Sequence, residues 1–141
     1  MLADIAERCN TIEECYEFML AYAAQGLPSD EGSKAGGQIR EYLGRAANAI
    51  AGLAESCATA AQQERLEPAA RYQAFFEVLA RDASDSLAAI ELVLAQPTVG
   101  SQLIDNLNAS IHLRALLTDL FLLSDIVKSQ GAPTRQIASS D

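Results

Sequence analysis

The chain has 141 residues, half of them hydrophobic, with 19 acidic against 10 basic side chains and a net charge of −9. That length suits one domain with its own hydrophobic core, and the composition is not that of a disordered chain. The acidic balance, with Lys34 and Lys128 as the two lysines, argues against the clustered basic patch that nucleic acid or an anionic lipid surface demands.

Alanine and leucine dominate, tryptophan is absent and β-branched residues are sparse. Such residues lose little on entering a helix, so the fold class predicted is all-α. The start, "MLADIAERCNTIEEC", lacks the basic and then apolar regions of a secretory signal, and no apolar run approaches the roughly 20 residues of a membrane span. Cys9, Cys15 and Cys57 are odd in number and have no C-x-x-C spacing, which does not describe a disulfide framework. A reduced, cytoplasmic protein with no membrane partner is expected.

The first helix is predicted over 11–25. Thr11 can cap it, with Glu14 completing a capping box. Gly26 suits a left-handed C′ position, Leu27 can fold back on the helix, and Pro28 blocks continuation. Its buried stripe reads Ile12, Cys15, Tyr16, Met19 and Tyr22 or Ala23. "PSDEGSKAGG" follows. Its glycines invite a phosphate-loop reading, but the G-x-x-x-x-G-K-[ST] spacing is missing, no strand precedes it, and Asp30 and Glu31 repel phosphate. It reads as a connector capped by Asp30 or Ser33.

The second helix is predicted over 33–61. Ile39, Leu43, Ala46, Ile50, Leu53, Cys57 and Ala60 advance in steps of four and three, the seam of a shallow-angle bundle. Gly36, Gly37, Gly44 and Gly52, in and beside that stripe, would let a neighbouring backbone approach closely. The third helix starts near Pro68, carries Tyr72, Phe76, Leu79, Ala83, Leu87, Ile90 and Leu94 on its stripe, and stops before Pro97. The fourth runs from Thr98–Ser101 to Gly131, and residues 131–141 read as a mobile tail. Short connections make sequential helices antiparallel, so residues 1–130 are expected to form one up-down-up-down four-helix bundle with a short first helix.

The chain's single histidine, His112, lies in the fourth helix. At about 100° per residue, Asp105, Asn108 and Asp119 fall within about 40° of it, on a narrow polar stripe. Leu103, Leu107, Leu117 and Phe121 lie opposite, as the core seam. His112 therefore points outward, unsuited to an internal metal or cofactor. The di-iron bundle plan needs inward glutamates with paired Glu-x-x-His motifs, and zinc wants several His or Cys ligands. No cofactor or metal is expected.

An outward His suits histidine phosphotransfer modules, where the imidazole accepts a phosphoryl group. The Lys and Gly those modules carry one turn on are here Ala115 and Leu116. The acid that follows the His in kinase dimerisation helices is here Leu113. Phosphotransfer is thus a third reading.

By the same rotation Arg114 faces the core, where it must either snorkel outward along its stem or pair with an acid such as Glu17 or Asp85. Tyr16, Glu17 and Arg114 form a candidate ligand pocket between the first and fourth helices. Ala109, Leu116, Leu120, Leu123 and Ile126 make the fourth helix apolar on more sides than one bundle requires. The candidate subunit interface is Asn108, His112, Leu116, Asp119, Leu120 and Leu123. The leading expectation is a non-enzymatic homo-oligomer, most simply a dimer, acting through protein–protein contacts as an adaptor or accessory factor. The alternative is a small-ligand or cofactor-binding bundle with its site between the first and fourth helices or at a subunit interface.

Overall fold

The computed structural model describes the backbone of residues 2–140 and the side chains of residues 3–129. Among the described residues there are six helices and no strand: α1 (Leu2–Ala24), α2 (Lys34–Ile50), α3 (Leu53–Gln63), α4 (Ala69–Leu94), α5 (Ser101–Ala109) and α6 (His112–Ser140). The expectation of a mobile tail over 131–141 falls on residues whose side chains lie outside those described.

α1 begins nine residues earlier than the sequence predicts. Thr11 is interior to it and is no cap; its hydroxyl donates to the Glu7 carbonyl one turn back at 3.0 Å. The far end follows the prediction, with Gly26 at φ 66° in the left-handed region that glycine enters without a Cβ penalty.

The connector then turns on two side chains. Ser33 caps α2 by accepting from the Gly36 N–H at 2.9 Å. Asp30 does other work. Its carboxylate accepts from Arg40 Nε at 2.6 Å and from the Val99 N–H at 2.6 Å. The guanidinium and that backbone donor hold the Asp30 carboxyl below its ordinary range. Arg40 also donates to the Leu94 and Gln96 carbonyls at 3.1 and 2.9 Å, closing the last turn of α4. Gly36 is buried here, and a Cβ on it would overlap the Asp30 backbone.

The predicted second helix is broken in two. Gly52 at φ 76° ends α2 and opens α3, and Arg8 of α1 donates to the Ala49 and Ala51 carbonyls exposed by the break, at 3.0 and 2.7 Å. The stripe survives the break: Ile39, Leu43, Ala46, Ile50, Leu53, Cys57 and Ala60 are all buried. α4 buries Tyr72, Phe76, Leu79, Ala83 and Ile90 as predicted. Its seam drifts to Ser86 and Val93 while Leu87 and Leu94 are half-buried.

The predicted fourth helix is also broken, at Ser110 and Ile111. Ser110 donates its hydroxyl to Leu107 O at 2.6 Å, and Ile111 takes φ 62°. α1 lies against α2, α5 and α6, while α4 lies against α2, α3 and α6. The core between them includes Ile12, Met19, Leu43, Leu79, Ile104 and Leu116, each worth roughly 1.5–3 kcal/mol on full burial.

The break re-phases α6. Its buried residues are Leu113, Leu116, Leu117 and Leu120. Arg114, expected to face the core, is exposed, as are Glu17 and Asp85, the acids expected to pair with it. Phe121, expected in the seam, is 45% exposed. A wheel drawn through two residues that are not helical carries the wrong angle to everything beyond them.

Candidate functional site

A groove of about 520 Å³ lies where α1, α3, α4 and α6 meet. α1 presents Ile5, Ala6, Cys9, Asn10 and Glu13 to it, one face at helical spacing. α3 adds Cys57, Ala60, Ala61 and Glu64; Leu66 and Phe76 form one wall; α6 gives Leu120, Phe121, Leu123, Ser124, Val127 and Lys128. The volume exists because the facing positions on α1 and α3 are small: Ala6, Cys9, Cys57, Ala60 and Ala61. Its polar groups are few.

A second cavity of about 330 Å³ lies between α3 and α4. It shares Ala61, Leu66 and Phe76 with the groove and adds Arg65, Glu67, Tyr72, Ala58 and Gln62 of α3, and Ala69 and Gln73 of α4. Tyr72 is 7% exposed, and its hydroxyl is buried with no hydrogen-bond partner. Arg65 holds φ 53° in the α3–α4 connector, a conformation that residues with a Cβ rarely adopt.

The thiols at the groove are not activated. Burial pushes Cys57 up to about 11, and burial with the neighbouring Glu13 carboxylate raises Cys9. Cys15, inside the core, is pushed by burial up to about 12. Since the thiolate is the nucleophile, none is poised for covalent catalysis at neutral pH. Among the described residues no three His, Cys, Asp or Glu side chains gather to hold a metal ion, and no helix is long and apolar enough to cross a membrane.

The residues picked from the sequence are distributed as follows. Tyr16 is half-buried against the core, Glu17 and Arg114 are exposed, and none of the three lines either cavity. His112 is exposed as the first residue of α6. Leu116 and Leu120 are buried within this chain's own core. Leu120 and the half-buried Leu123 border the groove. Asn108 is half-buried, and both atoms of its amide are enclosed without a partner.

Asp119, expected on the outward stripe with His112, is half-buried against Asp82 of α4. Burial first, and then the Asp82 carboxyl, push it up to about 7. No other donor reaches its Oδ2. A proton held on Asp119 and donated to Asp82 satisfies the pair.

Beginning the first helix at Thr11 left the α1 wall of the groove, Ile5, Ala6, Cys9 and Asn10, without a place in the sequence reading. The signal was present. Ile5, Cys9, Ile12 and Tyr16 continue the four-and-three spacing upstream, which places Ile5 and Cys9 on the helix that flanks α6. Comparison of the chain with protein-family models, with characterised proteins and with solved structures finds no match.

Proposed function

We propose that the protein is a non-enzymatic helical module acting through protein–protein contacts, with a second copy of itself as its first partner. One observation carries this reading. Phe121, Leu122 and Ile126 of α6 are 45%, 48% and 40% exposed, and Phe121 also borders the groove, so exposed apolar side chains run from α6 into an apolar cleft. Contiguous surface of that kind marks an interaction site, and a two-fold pairing of α6 with α6 covers it on both copies at once. In this reading α2 with α3, and α5 with α6, serve as two broken rods of an up-down-up-down bundle, and the reduced cytoplasm is its setting. The acidic surface keeps nucleic acid and anionic membrane away.

Sedimentation velocity over a dilution series tests it. A dimer at micromolar concentration, converted to monomer by Leu122→Glu with Ile126→Glu, is expected. A wild-type monomer throughout the series would overturn the reading.

A second reading, a bundle that binds a small apolar ligand, is favoured by the groove itself. Its volume of about 520 Å³ lies within the range of ligand pockets, and apolar walls with a few polar groups are their usual chemistry. Native mass spectrometry of protein purified without denaturation is expected, in this reading, to show a bound mass at one per chain.

A further inference from the structure

We propose that Cys9 and Cys57 are a paired modification site, oxidised by a small disulfide to a Cys9–Cys57 bond. That bond locks the α1 wall of the groove to its α3 wall. The pairing does not depend on what the groove binds or on how copies of the chain associate.

Three observations bring the two thiols together. First, both line the same groove, one from α1 and the other from α3, and those helices lie against each other. Ala6 stands one turn before Cys9, and Ala60 and Ala61 one turn after Cys57, small neighbours that leave each sulfur room to turn.

Second, the chain position before Cys9 is fastened to the start of α3. Arg8 donates to the Ala49 and Ala51 carbonyls at 3.0 and 2.7 Å, and Cys57 follows within the first turns of α3 (Leu53–Gln63). Third, the thiols act on one another. Burial is the main influence on Cys57 and raises it; the Arg8 guanidinium opposes burial and the Cys9 thiol adds to it. Such influence weakens with separation. Cys15 responds to burial alone and does not line the groove, so it stands outside the pair.

The chemistry suits the place. A disulfide carries no charge, so an apolar groove that keeps thiols protonated accepts it. Cys9 is half-buried and Cys57 buried, so Cys9 meets the reagent first. Its thiolate attacks one sulfur of the small disulfide; that S–S bond breaks, and the departing thiolate takes up the proton Cys9 lost. The Cys57 thiolate, favoured by Arg8, then attacks the Cys9 sulfur. The second small thiolate leaves with the Cys57 proton. Two protein thiols are oxidised, and one small disulfide is reduced to two thiols. Glu13 and Glu64 border the groove, so an uncharged disulfide enters more readily than an anionic one.

Equilibration of the full chain with hydroxyethyl disulfide and mercaptoethanol, over a series of ratios and to constant composition, tests the site. Intact mass after alkylation is expected to show a monomer lighter by two hydrogens with one alkylated cysteine. Proteolysis is expected to yield a bridged peptide joining Cys9 to Cys57, a readout that needs no variant. Cys9→Ser and Cys57→Ser are each expected to abolish the two-hydrogen loss, and Cys15→Ser to retain it. The oxidised chain is expected to melt about 5 to 10 °C above the reduced one, since a cross-link across that span restricts the unfolded chain. Thiols left free at every ratio, oxidation that stops at mixed disulfides or joins separate chains, or a two-hydrogen loss that persists in Cys9→Ser would overturn the pairing. An oxidised chain that melts no higher would overturn it too, because the bond would then form only by distorting the fold.

Discussion

Ile111 sits at φ 62° with 60% of its surface exposed, a left-handed residue whose branched Cβ crowds the following carbonyl. That conformation costs an L-residue roughly 1–2 kcal/mol. Since its side chain buries little, replacing it removes strain without opening a cavity. Ile111→Asn is expected to raise stability by about 1 kcal/mol, because Asn tolerates the left-handed region. Ile111→Gly is expected to gain less, since glycine frees the unfolded chain as well. Urea unfolding midpoints decide the matter, and a lower midpoint for Ile111→Asn would show that the strain is not there. The same residue explains why Arg114 was misplaced. A β-branched residue carries no signal for a left-handed turn, whereas Gly52 does: the break after α2 was legible as a helix-ending glycine, and the unbroken apolar stripe across it masked the sign.

At the scale of the element, α6 lies on α4 through leucines and through the Asp82–Asp119 contact. Folding holds the Asp119 carboxyl at about 7, far above the 3.8 of a free aspartate. Between those two values the native chain binds more protons than the unfolded chain. Stability therefore falls as pH rises through that window and levels off above it. The wild-type melting temperature is expected to be higher at pH 5 than at pH 8. Asp119→Asn, which keeps a donor for Asp82 and cannot ionise, is expected to remove most of that difference and to melt higher than the wild type at pH 8. Thermal melts of both proteins across this range check it, and parallel curves would count against the contact. Helical stripes were readable for α2, α3 and most of α4, since each needs only its own spacing. The Asp82–Asp119 pairing was not, because it depends on how two helices register and on a phase that Ile111 had already shifted.

For the whole molecule, what the sequence conveyed was the class of fold and most of the core. The groove escaped because it is a volume between four segments, set by small side chains that meet only once the helices are docked. Individual alanines at Ala6, Ala60 and Ala61 look unremarkable in a chain so rich in them.

The far end of α1 carries a different implication, in time and not in space. The Tyr22 hydroxyl donates to the Val99 carbonyl at 2.7 Å, and the Tyr22 carbonyl accepts from the Ser101 hydroxyl at 2.6 Å, partners 77 and 79 residues further along. During synthesis α1 is thus made well before the partners that fasten its last turn. It must wait for α5 to leave the ribosome, with its apolar face uncovered on that side meanwhile. Chains truncated before residue 99 are expected to exchange the amides of α1's last turn much faster than the full chain does. Equal protection in both would mean that α1 is secured by α2 alone.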